Sequence, residues 1–258
     1  MPVQGRGVVI TGAGGGIGAA LAKRMVDAGA RVVVNDIDET AVHAVATSVG
    51  ATAIAGDCAS EAGVARLIEQ SRDVLGAIDV YFANAGVEVG GGLDASEADW
   101  ARTIDINVMA HIRAARLLVP EWLGRGEGRF IVTASAAGLL TMLGSAPYSV
   151  SKHASVAFAE WLSATYGHRG ITVQAICPQG VRTRMLDQSA ILREILSHDD
   201  ALEPDELAER VYQGMVEGGF LILPHPEVAG YYLTRASQTD RWLGGMRKLQ
   251  KRIDEATA

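Results

Sequence analysis

Short runs of β-branched and other apolar residues recur along this chain, and a longer stretch with helical spacing follows most of them. The runs are GVVIT (7–11), RVVVND (31–36), ATAIAGD (51–57), DVYFAN (79–84), RFIVTAS (129–135), ITVQAIC (171–177) and FLILP (220–224). Each is nearly continuous in apolar character, as strands covered on both faces are. Stretches such as 61–75 and 100–123 carry apolar residues at helical spacing. That alternation predicts an α/β fold, a doubly wound parallel sheet with helices on both faces. No proline- or serine-rich linker divides the chain and no repeat of fixed period is present, so 1–258 reads as a single domain. The rhythm breaks after Thr183.

Composition narrows the function classes. Net charge is -7 with no long block of one sign, which argues against a nucleic-acid partner. Two cysteines, Cys58 and Cys177, are too few for a disulfide scaffold or a cysteine-rich zinc site, so no metal is expected. The opening MPVQGRG lacks a signal-peptide pattern, and no uninterrupted apolar run approaches the ~18 residues of a membrane span. A cytoplasmic protein with no membrane partner is the expectation.

The first run leads straight into TGAGGGIGAALA. Glycine lets the backbone bend sharply and brings its N–H groups against a pyrophosphate. A helix starting at or near Ile17 would add its N-terminus to the same anion. The spacing is T-G-x-x-x-G-x-G, with Gly12, Gly16 and Gly18 at the key places, rather than G-x-G-x-x-G. A strand–turn–helix of this kind predicts a dinucleotide site in a Rossmann-like sheet. Asp36 ends the second run about 20 residues on, where a carboxylate accepts ribose hydroxyls and repels a 2′-phosphate. No lysine or arginine in the turn ahead of Gly16 offsets that charge, which favours NAD over NADP. Asp57 ends the third run, where it can meet adenine or cap the next helix; both readings stay open.

In APYSVSKHAS (146–155), Tyr148 and Lys152 stand four apart and share one helical face. A free phenol titrates near ~10, and a fixed ammonium beside it favours phenolate. NAG (84–86) follows the fourth run, Asn107 lies in TIDINVMA, and Ser135 closes the fifth run thirteen residues before Tyr148. In order and spacing, over 8–183, these residues resemble the short-chain dehydrogenase/reductase (SDR) family.

The resemblance implies an oxidoreductase that interconverts a secondary alcohol and a ketone. It implies Tyr148 as the general base or acid, Ser135 on the substrate oxygen, Lys152 on the ribose and beside the phenol, and Asn107 supporting a proton path. Implied cofactor contacts are Gly12, Gly14, Gly15, Gly16, Ile17, Gly18, Asp36, Ile37, Asp57, Cys58, Asn84, Ala85 and Gly86. Tyr148, Lys152, Pro178, Gly180, Val181 and Thr183 complete that set. Where the family has Pro-Gly after its sixth strand this chain has PQG, so Gln179 is a candidate substrate contact, with Ser135, Leu140, Tyr148 and Met185.

An apolar wall is expected from Leu139, Leu140, Met142 and Leu143, and a substrate lid from 184–205 through Met185, Leu186, Ile191, Leu192 and Ile195. With those residues facing inward, the substrate would be lipophilic: cyclic, aromatic or steroid-like. Two alternatives stand beside an NAD-dependent dehydrogenase. One is an NADPH-dependent carbonyl reductase, the other a catalytically silent NAD-sensing protein. Residues 220–258 depart from the family pattern and are expected to form an atypical cap or subunit contact, with Trp242, Met246, Leu249 and Ile253 on one helical face. His225, between two prolines, is expected in a rigid exposed turn. The long helices at 100–123 and 147–168 resemble those that build family homotetramers, with a dimer as the fallback.

Overall fold

The computed structural model describes residues 2–188 and 201–257. Among these, seven parallel strands form one sheet: β1 (Gly7–Thr11), β2 (Arg31–Asp36), β3 (Thr52–Ala55), β4 (Val80–Ala83), β5 (Gly128–Thr133), β6 (Ile171–Ile176) and β7 (Leu221–Ile222). Their order is β3-β2-β1-β4-β5-β6-β7. The chain reverses direction across the sheet between β1 and β4, which leaves a crevice at their carboxyl ends, the usual ligand position in such sheets.

Strand side chains alternate between two cores. Val8, Ile10, Val32 and Val34 pack beneath α1 (Gly16–Asp27), α2 (Glu39–Val49) and α8 (Pro204–Glu217). Val9, Val33, Tyr81, Phe130 and Val132 pack beneath α3 (Glu61–Leu75), α5 (Ala110–Arg125) and α6 (Ala146–Tyr166). Side-chain caps start several helices: Asp38 accepts from the Ala41 N–H and Ser60 from the Gly63 N–H. The predicted helix at 100–123 is not one regular element. It runs as α4 (Glu97–Ile104), a π-helical turn (Asp105–Met109) and then α5. The widened turn inserts a residue without ending the helix, and Asn107 sits at its centre.

Beyond β6 come α7 (Arg184–Gln188) and, after the undescribed residues, α8. Val181 bridges to Leu202, and Arg182 pairs with Glu203 at 3.0 Å, so both ends of the expected lid are fastened at one place. Ile191, Leu192 and Ile195 lie outside the described residues. The run FLILP yields only the two-residue β7, and α9 (Glu227–Ser237) and α10 (Thr239–Thr257) end the chain. No helix among the described residues is long and apolar enough to cross a membrane.

Trp122 is the largest fully buried side chain. Its ring meets Phe130 edge-on at 6.3 Å, and its indole N–H donates to the Ile78 carbonyl at 2.8 Å. Trp122→Ala removes both the volume and a satisfied buried donor. It is expected to cost about 3–5 kcal/mol of unfolding free energy, read from urea denaturation.

Candidate active site

The phosphate-type turn is built from close approaches. Gly12 has φ +63°, and a Cβ there would lie 2.7 Å from the Ala85 Cα; a Cβ on Gly18 would lie 2.4 Å from the Gly12 carbonyl oxygen. The end of β4 is stitched to this turn. Asn84 donates through Nδ2 to the Thr11 carbonyl at 2.9 Å and the Gly12 carbonyl at 3.2 Å. The Thr11 hydroxyl accepts from the Asn84 and Ala85 N–H groups, both at 3.0 Å. Helix α1 begins at Gly16, one residue earlier than its sequence suggests.

Above the crevice lies a cleft of 1310 Å³. Every residue implied above as a cofactor or substrate contact lines it, from Gly12 to Thr183 and Met185. Asp36 is half-buried and accepts from the Gly14 N–H at 2.8 Å and the Asp38 N–H at 3.0 Å, which fixes its carboxylate at the cleft edge. Asp57 also lines the cleft, but its oxygens are engaged at the start of α3, with the Ala59 N–H at 2.7 Å and with the Ser60 N–H and hydroxyl. The capping reading left open above is therefore present in the fold. These glycines leave a cradle that side chains would fill, and a carboxylate stands beside it. The donor set fits a dinucleotide with its pyrophosphate on the turn.

At the far end of the cleft, Tyr148, Lys152 and Ser135 come together. Lys152 is 3% exposed; its Nζ lies 5.4 Å from the Tyr148 ring centre and donates to the Thr133 carbonyl at 2.9 Å. Ser135 Oγ accepts from the Ala137 N–H at 3.1 Å and donates to the Pro178 carbonyl at 3.5 Å. Lowering of the phenol pKa by Lys152, expected from the sequence, does not appear in the protein alone. Burial pushes Tyr148 up to about 12, the Ser135 hydroxyl pulls it down, and Glu88 and Cys177 push it up. Burial likewise pushes Lys152 down to about 8. Both groups are dry, and desolvation disfavours the charged form of each.

Asn107 does not line the cleft wall but braces it from behind. Its Oδ1 accepts from the Val87 N–H at 2.8 Å, and its Nδ2 donates to the Val87 carbonyl and to Ser151 Oγ, both at 2.9 Å. Its own carbonyl accepts from Ser155 Oγ at 2.7 Å. One turn on, His111 is fully enclosed, and burial together with the Lys152 charge pushes it down to about 3.

Several positions depart from the sequence reading. Leu140 and Met142 line the cleft, whereas Leu139 packs into the core. His225 is not in an exposed turn: it is 5% exposed, and its Nδ1 accepts from the Gln179 N–H at 3.1 Å. Sequence reasoning missed the remaining wall, Tyr231 from α9 with Trp242, Met246 and Leu249 from α10. Helical spacing had marked the last three as one face, but spacing does not say what that face covers.

The model of the short chain dehydrogenase family matches residues 6–191, and the chain belongs to that family. It is an oxidoreductase with the Rossmann-like fold of that family. A 1-deoxy-11-beta-hydroxypentalenate dehydrogenase of Streptomyces exfoliatus is 35% identical over 236 residues, covering 88% of this chain and 86% of the relative. A 2,5-dichloro-2,5-cyclohexadiene-1,4-diol dehydrogenase of Sphingobium indicum is 34% identical over 208 residues, covering 78% and 80%. Among solved structures, a short-chain dehydrogenase/reductase from Burkholderia phymatum in complex with NAD superposes with a TM-score of 0.84 at 28% identity, covering 93% of this chain and 96% of that one.

Asn107→Ala leaves the half-buried Val87 N–H without its acceptor and empties a fully buried amide site. It is expected to lower stability by about 1–3 kcal/mol, measured by chemical denaturation.

Proposed function

We propose that this protein transfers hydride between NAD and a secondary alcohol or ketone on a lipophilic, cyclic skeleton. The observation that carries the reading is the convergence of Tyr148, Lys152 and Ser135 at the end of an otherwise largely apolar cleft beside a glycine cradle. Bound there, the oxidised dinucleotide supplies a hydride acceptor and a positive charge. Tyr148 Oη holds the proton of the alcohol or gives one to the ketone. Ser135 Oγ donates to the substrate oxygen and steadies charge that develops on it. Lys152 holds the ribose and supplies a cation next to the phenol; Asn107 fixes the Val87 backbone beside them.

NAD preference rests on Asp36, whose carboxylate is locked at the cleft edge by two backbone N–H groups and opposes a phosphate there. The cyclic, lipophilic substrate rests on the wall of Leu140, Met142, Met185, Tyr231, Trp242, Met246 and Leu249. The names of the two relatives above, both dehydrogenases of ring compounds, agree with it. In this reading Met185 and Leu186 of α7 and the C-terminal helices close over the substrate. The exposed Leu117, Val150 and Trp161 on α5 and α6 support assembly as a homotetramer, with a dimer as the smaller possibility.

Purified protein with NAD is expected to oxidise cyclic secondary alcohols, followed by NADH absorbance. Tyr148→Phe is expected to lower kcat by about 10²–10⁴-fold while NADH binding, read by fluorescence, stays near wild type. Activity that persists in the variant would remove Tyr148 from the proton transfer. Asp36→Ala is expected to shift the kcat/KM ratio toward NADP by at least about tenfold, since it removes a like charge from the phosphate position. An unchanged ratio would place discrimination elsewhere.

A further inference from the structure

Two departures from the family pattern meet in space. One is Gln179, which stands in the turn after β6 where the family has glycine. The other is the segment PHPE (224–227) that opens the atypical C-terminal region. His225 Nδ1 accepts from the Gln179 backbone N–H at 3.1 Å, and Gln179 Nε2 donates to Glu227 Oε1 at 2.7 Å. A backbone N–H can only donate, so Nδ1 must carry no proton and Nε2 must carry it. Among the described residues His225 Nε2 is buried without a hydrogen-bond partner, and Nδ1 holds the Gln179 N–H.

The turn it holds reaches both halves of the cleft. The Pro178 carbonyl accepts from the Ala136 N–H at 2.8 Å and from Ser135 Oγ at 3.5 Å. The Gly180 carbonyl accepts from the Leu202 N–H at 3.1 Å. Thr183 stands over the glycine turn, where a Cβ on Gly16 would lie 3.0 Å from its methyl carbon. On its other side, the His225 carbonyl accepts from the Val228 N–H at 3.2 Å at the start of α9. Tyr231 of that helix lines the cleft.

We propose that His225 is a positioning residue that pins the cofactor-side turn 178–183 to the C-terminal cap through its unprotonated Nδ1. It rests on the reading of the cleft as a dinucleotide site. Protonation would set an N–H against the Gln179 N–H and release the turn. Burial pushes His225 below its ordinary value. Glu227 on α9, the Gly180 backbone and Glu206 on α8 push it up, and Arg210 on α8 pushes it down. A neutral ring is therefore kept at neutral pH, and the contact is lost only as pH falls below the ordinary imidazole range.

The test is calorimetric titration of NAD into wild type, His225→Asn and His225→Leu, at about pH 8 and about pH 4.5, the lower value set well below the ordinary imidazole value because burial lowers His225. Thermal melting of each protein is recorded alongside. Asn keeps an acceptor near the Nδ1 position and has no titrating proton; Leu keeps bulk and has no acceptor. At the higher pH, the Leu variant is expected to bind NAD about tenfold more weakly, and the Asn variant within about threefold of wild type. The loss should fall on KM for NAD more than on kcat. At the lower pH, wild type should weaken and the Asn variant should not. Equal NAD affinity in wild type and the Leu variant would overturn the proposal, as would equal loss in both variants or an acid weakening that persists in His225→Asn. Should the Leu variant fail to fold, the pH comparison of wild type with His225→Asn decides alone. A wild-type protein that binds no NAD at either pH would instead overturn the dinucleotide reading beneath it.

Discussion

The stitch between the ends of β1 and β4 is the contact on which the cleft depends. Neighbouring parallel strands diverge at their carboxyl ends once the chain turns away to opposite faces, and something must hold the rims while leaving a crevice. Here one threonine hydroxyl and one asparagine amide do so. Thr11 gathers the Asn84 and Ala85 N–H groups, and Asn84 returns two donors to the Thr11 and Gly12 carbonyls. The approach is so close that Gly12 and Gly18 have no room for a methyl group. Helix α1 starts at Gly16 beside this stitch, and its first residues line the cleft, which puts a helix N-terminus where an anion is favoured.

Dryness governs the chemistry at the opposite end of the cleft. Tyr148 and Lys152 are both buried, and each is driven toward its neutral form, the phenol to about 12 and the ammonium to about 8. Removing water makes ionisation costly, and it also makes any charge brought into the site act more strongly. In the proposed reading, the protein alone is a resting state in which the phenol keeps its proton. The π-helical turn serves the same end, because it places Asn107 so that a buried amide, rather than solvent, satisfies the Val87 backbone.

Most of the carboxyl-terminal third lies beyond the family match, which ends at residue 191. Gln179 stands in the turn after β6, and His225 from a distant segment accepts from its backbone N–H. The same segment launches α9 and α10, whose aromatic and aliphatic side chains form the far wall of the cleft. Anchoring of the turn and shaping of the cleft thus come from one continuous stretch of chain.

Local pattern was enough for much of this. Apolar runs of five or six residues set β1, β2, β5 and β6, because a strand buried on both faces leaves no alternative pattern, and the glycine turn and the Tyr148–Lys152 spacing located the cleft. What local pattern could not supply was anything that depends on partners far along the chain. FLILP kept only two residues in the sheet, since β7 pairs with β6 alone. The helix at 100–123 widened around Asn107, whose partners at Val87 and Ser151 are brought in by the fold. Burial of His225, the opposite shifts of Tyr148 and Lys152, and the placement of Trp242 over the cleft were all decided in the tertiary structure. Sequence sets which side chains are apolar, how they are spaced and where the backbone can bend. Only packing decides which polar atoms lose water, and loss of water is what sets their chemistry.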